Sequence, residues 1–292
     1  FGFYDIGLLR SDDAGQTFRR GVQGVPHALN NSCFDLAFDP EQPDRLWGAF
    51  GQWGSNQGIL AQSADAGMTW APLPAESGLP NARCRRLIRQ GNALLAALDE
   101  HGVYASGDLG RTWQAANEGL PTTTIQALQP VPGMAQAFVC ALGSKGKELG
   151  GIYRSDDGCG SWQRISGGFP VGDVKSLAIA PSDPQVLYLD MRDQQVSDLP
   201  VPGGVYRSDD GGATWKQVLR NHFVQGLAVH PTQPKTVLAG LNDHPYHDQS
   251  TGGGGRRTSR ASIRERGRRP ACRRANSLRP SSGRPRKART RR

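Results

Sequence analysis

The chain has 292 residues, 38 of them glycine, and a formal charge of +9. No run of 18 apolar residues and no sustained heptad is present, which excludes a membrane-spanning helix and a coiled coil. The charge is split: from Thr251 onward 15 Arg and 1 Lys face a single acid, whereas the first 250 residues carry 19 bases and 25 acids, so the body is mildly acidic and has no basic footprint for nucleic acid.

Reading along the chain, short apolar runs bounded by Pro, Gly and Asp predict strands. Leu36-Ala-Phe and Leu46-Trp are split by Asp39-Pro-Glu-Gln-Pro43, Leu177-Ala-Ile-Ala and Val186-Leu-Tyr-Leu by Pro181-Ser-Asp-Pro184, and Leu227-Ala-Val and Val237-Leu-Ala by Pro231-Thr-Gln-Pro234. A further run opens on glycine at Gly58-Ile-Leu, Gly102-Val-Tyr, Gly151-Ile-Tyr and Gly204-Val-Tyr. After it comes an eight-residue pattern, S-x-D-x-G-x-T-aromatic, at Ser11–Phe18, Ser63–Trp70, Ser106–Trp113 and Ser208–Trp215, with a fifth copy at Ser155–Trp162. The fifth copy has Cys159 in the glycine place and Ser161 for threonine. Serine-to-serine spacings are 52, 43, 49 and 53 residues. Such a period means a repeat architecture. One period holds strands A, B and C, the eight-residue turn, then strand D, which is one four-stranded propeller blade.

The turn has a chemical logic. Ser and Asp oxygens accept backbone N–H groups and hold it tight, and glycine supplies a positive φ that a Cβ resists. By this logic Cys159 strains its turn unless Gly158 takes the special conformation. The key residues are Ser11, Asp13 and Gly15; Ser63, Asp65 and Gly67; Ser106, Asp108 and Gly110; Ser155 and Asp157; and Ser208, Asp210 and Gly212.

These motifs resemble the Asp-box, or BNR, repeat of sialidases, xyloglucanase-type glycosidases, sortilin-type receptors and a photosystem assembly factor. The stretch Gly-Val-Tyr-Arg-Ser-Asp-Asp-Gly-Gly-Ala-Thr-Trp ending at Trp215 is most similar to bacterial xyloglucanase-like and uncharacterised BNR proteins. The resemblance covers roughly residues 1–250. It implies an all-β propeller, a structural role for the box residues and an extracytoplasmic location. It does not select among the functions those families host. No Arg-Ile-Pro stretch precedes the first box, which departs from the sialidase pattern, and no xyloglucanase catalytic segment can be matched.

Counting blades gives strands C and D of a first blade in residues 1–20, four complete blades over 33–219, and strands A and B of another over 223–241. Residues 1–250 are thus an incomplete propeller. Residues 251–292 are an Arg/Pro/Ser/Gly-rich tail, expected to be disordered because it has almost no apolar surface to bury. Either it is a natural arm, in which case nucleic acid or another polyanion is its partner, or the reading frame shifts near Gly253. The frameshift is preferred, because the break falls where the next strand C and box are due. The chain begins at Phe1 with no signal-type apolar stretch, and is expected to be a processed or partial chain. The five cysteines, Cys33, Cys84, Cys140, Cys159 and Cys272, show no metal or disulfide spacing and read as small buried residues.

In such blades the A–B turns and the boxes share one end, and the B–C loops and D–A crossings the other. The B–C loops, Gly48–Gln57, Gly143–Gly150, Asp190–Gly203 and Asn242–Gly253, are long and variable, so a carbohydrate or protein ligand is expected there. Asp190, Arg192, Asp193 and Asp198 share one loop, and Asn242, Asp243, His244, His247 and Asp248 another, with Trp47 and Trp53 flanking the first as sugar-stacking candidates. Asp193 and Asp243, on adjacent blades, are the candidate acid and base of a glycosidase. His244 and His247 are the best metal candidates, but no third ligand is evident and neither metal nor cofactor is expected. The leading expectation is a binding propeller without catalytic machinery. The alternatives are a xyloglucanase-type hydrolase and a protein-assembly scaffold.

Overall fold

Each eight-residue turn is closed by its own side chains. The computed structural model, which describes residues 2–3, 6–52, 54–143, 150–196, 199–220, 224–241 and 260–263, repeats one pattern five times. The serine hydroxyl donates to the aspartate at 2.7–2.8 Å and accepts the N–H of the fifth residue at 2.8–2.9 Å. The other carboxylate oxygen accepts the hydroxyl of the seventh residue at 2.5–2.7 Å. Hydrogen bonds hold all five carboxyls down at about 2. The hydroxyl of the seventh residue leads at Asp13, Asp65 and Asp210, and its backbone N–H leads at Asp108 and Asp157.

The turns join strands into blades. β1 (Gly2–Phe3), β2 (Gly7–Arg10) and β3 (Arg19–Arg20) form an N-terminal part-blade, one short strand more than expected. Blade I is β4 (Ser32–Phe38), β5 (Leu46–Gly51), β6 (Gly58–Ser63) and β7 (Ala71–Pro72). Blade II is β8 (Cys84–Gln90), β9 (Ala93–Leu98), β10 (Gly102–Ser106) and β11 (Gln114–Ala115). Blade III is β12 (Ile125–Pro130), β13 (Phe138–Leu142), β14 (Gly151–Ser155) and β15 (Gln163–Arg164). Blade IV is β16 (Asp173–Ala180), β17 (Asp183–Arg192), β20 (Gly204–Ser208) and β21 (Lys216–Leu219), and its B–C loop carries a hairpin of β18 (Gln194–Val196) and β19 (Leu199–Val201). The last sheet is β22 (Val224–Val229), β23 (Val237–Leu241) and β24 (Arg260–Ile263). β24 takes the strand C place, pairing Val237 with Ile263, so four residues of the segment expected to be disordered are strand; the rest of that segment lies outside the described residues.

Successive A strands, β4, β8, β12, β16 and β22, lie against one another and line the inside of the arc. The core is five layers, one at each seam between sheets. Among the described residues no strand pairing closes the ring: β2 pairs with β1, β3 and β4, and β23 with β22 and β24.

What fixes one blade on the next is a backbone latch. Trp70 N–H donates to Gln23 O at 2.8 Å, Trp113 N–H to Ser77 O at 2.7 Å and Trp162 N–H to Glu118 O at 2.8 Å. Each acceptor belongs to the segment after strand D of the preceding blade, and each is followed by a glycine of positive φ, Gly24, Gly78 or Gly119. The three tryptophans are 3–4 % exposed, whereas Phe18, at the same place in the turn of the N-terminal part-blade, is 44 % exposed. Cys159 itself has φ +73, beside Gly158 at +74, so the turn needs two left-handed residues and Gly158 does not spare the cysteine. Cys33, Cys84, Cys140 and Cys159 are free and buried, and burial pushes the Cys33 and Cys159 thiols up to about 12.

A pair of substitutions separates the latch from backbone strain. A Cβ on Gly119 would stand 2.2 Å from Trp162 O, whereas one on Gly133, also of positive φ, meets nothing within 4 Å. Gly133→Ala is expected to cost about 1 kcal/mol and Gly119→Ala roughly 3 kcal/mol or more, measured as urea midpoints. Equal losses would refute the latch.

Candidate functional site

Ala66 N–H donates to Asp44 O at 2.8 Å, Gly158 N–H to Gln136 O at 2.8 Å and Gly211 N–H to Gln185 O at 2.9 Å. The first two bonds tie an eight-residue turn to the A–B turn of its own blade and the third to the start of β17 just after that turn, so the B–C loops lie at the opposite end.

At that loop end every A strand carries the same irregularity. The register skips one residue between Cys33 and Asp35, Cys84 and Arg86, Ile125 and Ala127, Val174 and Ser176, and Val224 and Gly226. The extra residues are Phe34, Arg85, Gln126, Lys175 and Gln225. A bulge bends the strand and re-aims a side chain, so one bulge per blade sets a ring of such positions on the innermost strands.

A polar network follows the ring. Asp99, 7 % exposed, accepts Arg83 Nε at 2.5 Å and also Arg85 Nε. Asp35 of blade I accepts Leu87 N–H of blade II at 2.8 Å and pairs with Arg86 at 3.2 Å. Gln126 of blade III accepts Val174 N–H of blade IV at 2.6 Å and donates to Asp173 at 3.1 Å, and Lys175 pairs with Asp173 at 2.8 Å. Between blades I, II and III a cavity of ≈ 170 Å³ opens, lined by Asn56, Arg83, Arg85, Asp99, Glu100 and Gln126 among others.

The sequence-derived candidates fare unevenly. Asp193 is exposed, and its carboxylate accepts Gly203 N–H at 2.5 Å, closing the base of the β18–β19 hairpin. Asp243, His244 and His247 lie outside the described residues, as do Asp198 and Trp53. Trp47 is not at a loop: it sits within β5, fully buried, and has no ring face to offer a sugar. Asp190 is likewise in strand β17, 1 % exposed. Burial pushes its carboxyl up to about 7, Lys175 and Arg192 oppose this, and Asp173 adds to it. Its Oδ2 has no hydrogen-bond partner among the described residues. No group of three His, Cys, Asp or Glu among the described residues is arranged to hold a metal ion, and no helix is long and apolar enough to cross a membrane.

The bulge positions Arg85, Gln126 and Lys175 escaped sequence reasoning, since a bulge leaves no composition signature. The latch left one: Gly24-Val-Pro, Gly78-Leu-Pro and Gly119-Leu-Pro stand at the three latches, and Gly168-Phe-Pro follows strand D of blade III in the same way.

A family model described as DUF6242 beta propeller domain matches residues 52–225. The chain belongs to that family. No curated protein sequence matches it. Among solved structures it is similar to the GH74 enzyme of Niastella koreensis, at 20% identity and TM-score 0.63 over 82% of this chain and 38% of that one. It is similar also to the GH74 xyloglucanase of Xanthomonas campestris, at 19% identity and TM-score 0.63 over 84% of this chain and 40% of that one. YCF48 bound to D1 peptide matches at 18% identity and TM-score 0.54, over 82% of this chain and 69% of that one. These likenesses show the propeller fold, and the chain spans about two-fifths of the length of the two GH74 structures.

Asp190 gives a signed pH dependence. In the unfolded chain its carboxyl ionises near the ordinary 3.8, and in the fold it stays protonated to about 7. Ionisation between these values favours the unfolded state, so stability falls as pH rises from about 4 to about 7 and then levels. The drop from this group is on the order of 4 kcal/mol at most. Urea midpoints at pH 4.5 and 7.5 are expected to differ by less in Asp190→Asn than in the unsubstituted chain. An unchanged difference would show that Asp190 is ionised in the fold.

Proposed function

We propose that the chain is a binding propeller whose ligand sits at the loop-end mouth of the arc, across the bulged positions Arg85, Gln126 and Lys175. The observation that carries this reading is the coincidence of one bulge in every A strand with the cavity beside Arg85 and Gln126. Function concentrates where a rigid scaffold re-aims side chains beside variable loops. The cations of this rim are met by acids: Arg86 pairs with Asp35 and Lys175 with Asp173, while Arg83 and Arg85 share Asp99 in a cavity also lined by Glu100. A rim of paired charges and planar amides suits a neutral polyhydroxyl ligand, which takes directional hydrogen bonds and brings no charge. Carbohydrate is therefore favoured over an acidic peptide, and the likeness to a xyloglucanase points the same way. Hydrolysis is not part of the reading. It needs two carboxyl groups across the scissile bond, whereas among the described residues Asp35, Asp99 and Asp173 are committed to cations, Asp190 is sealed from solvent, and Glu100 is the one other acid lining the cavity.

The eight-residue turns, read as Asp-boxes, have a structural role in this proposal, and an extracytoplasmic location fits it. Affinity electrophoresis against xyloglucan and other soluble glucans tests it, with release of reducing ends followed in parallel. Retention without release is expected, and Arg85→Ala and Gln126→Ala should each weaken retention about tenfold, the worth of one or two hydrogen bonds. Asp210→Ala should lower the melting midpoint by about 2–4 °C and leave retention alone. Release of reducing ends would replace binding by catalysis. Failure of every glucan, with capture of a peptide ligand instead, would move the reading to an assembly scaffold.

A further inference from the structure

The opposite, turn-bearing end holds a second polar feature that the loop-end site does not use. Counting four residues on from each bulge, the A strands carry Phe38, Arg89, Pro130, Ile179 and Val229. Four blades present an apolar residue there and blade II presents a guanidinium. A local rule broken at a single repeat marks a functional or strained position.

The Arg89 side chain is 2 % exposed, in the seam against blade I, and its Nε and Nη1 have no acceptor among the described residues. Fully buried Trp47 also finds no acceptor among them for its indole Nε1–H. The guanidinium carbons of Arg45 and Arg89 lie 5.7 Å and 5.9 Å from the centre of the Trp47 ring. One carboxylate serves both arginines. Asp39 accepts Arg45 Nε at 2.6 Å and Glu41 N–H at 3.0 Å, and reaches Arg89 only at 3.8 Å. Burial pushes the Asp39 carboxyl up, but Glu41, Arg45 and Arg89 outweigh it and hold it below the usual range, so it remains an anion. The cluster therefore has three idle buried donors and one positive charge too many. Water would satisfy donors, but it leaves two guanidiniums on one carboxylate, with Arg89 held to Asp39 only at 3.8 Å, which is costly. Beside Arg45 a cavity of ≈ 380 Å³ opens to solvent, lined also by Gln62, Asn92, Asp108 and Arg111, with Gln62 paired to Trp47 in the sheet register.

We infer that the seam between blades I and II binds a small oxygen-bearing monoanion at Arg89 and Trp47, entering past Arg45 and Arg111. The anion accepts the idle donors and cancels the surplus charge, and by holding Arg89 and Trp47 together it ties two blades at their turn end.

Melting curves of the full chain in inorganic phosphate at pH 6, against chloride at equal ionic strength, test this. The midpoint should climb with the logarithm of phosphate concentration, and acetate should act similarly. Arg89→Met should melt higher than the unsubstituted chain in chloride, having lost a buried unpaired charge, and should show no response to phosphate. Trp47→Phe, which keeps the arginine, should weaken the apparent phosphate affinity about tenfold. A crystal soaked at pH 6 in selenite, a monoanion there, should give an anomalous peak within hydrogen-bond distance of Arg89. A flat phosphate response, an equal response in Arg89→Met, or selenite bound only elsewhere would overturn the inference and leave Arg89 as a packing residue.

Discussion

The hydrogen bond from a tryptophan N–H in one blade to the carbonyl before a left-handed glycine in the blade before it is the constraint on which the arrangement rests. It is a backbone contact, so it fixes the spacing and rotation of neighbouring sheets more tightly than side-chain packing alone would. It depends in turn on the box. Asp65, Asp108 and Asp157 each hold the seventh residue of their turn by hydroxyl and N–H, and that delivers the eighth, the tryptophan, to the seam. Each of these carboxylates accepts at least three hydrogen bonds from its own turn, and their low proton affinity is a consequence of that commitment.

With the seams fixed, the A strands are carried to the inside of the arc in a common register. The bulge then falls at one height in five blades, and side chains far apart in sequence meet. Asp35 reaches Leu87, Gln126 reaches Val174 and Ser176 reaches Leu227, each bond crossing from one blade to the next. These bonds satisfy backbone N–H groups that a bulge would otherwise leave idle. The loop-end mouth is thus stiff at its floor, where a binding scaffold gains by not having to order itself around a ligand.

Burial divides the charged residues into two kinds. Most are paired across short distances, as in Arg83 and Arg85 on Asp99. Asp190 and Arg89 differ: one is a carboxyl pushed toward neutrality by its surroundings, the other a guanidinium that cannot shed its proton and reaches the carboxylate it shares with Arg45 only at 3.8 Å. The same desolvation acts on both. The carboxylate has an exit by protonation, and the arginine has none except a counter-ion.

The sequence by itself determined the strands, the blade period, the five turns and the end of the molecule at which the loops gather. It could do so because each rests on local chemistry repeated in register: Ser and Asp for the turn, Gly for positive φ, apolar alternation for the strand. It also contained the Gly-apolar-Pro signal of the latch, whose meaning depends on a tryptophan about 45 residues away in Gly24 and Trp70. Only the tertiary structure decided that Trp47 is core, that Asp190 is sealed in a strand and Asp193 closes a hairpin, and that Arg85, Gln126 and Lys175 are singled out. A one-residue register slip and the burial of a charge are properties of neighbouring strands and blades, and no window of a single strand contains them.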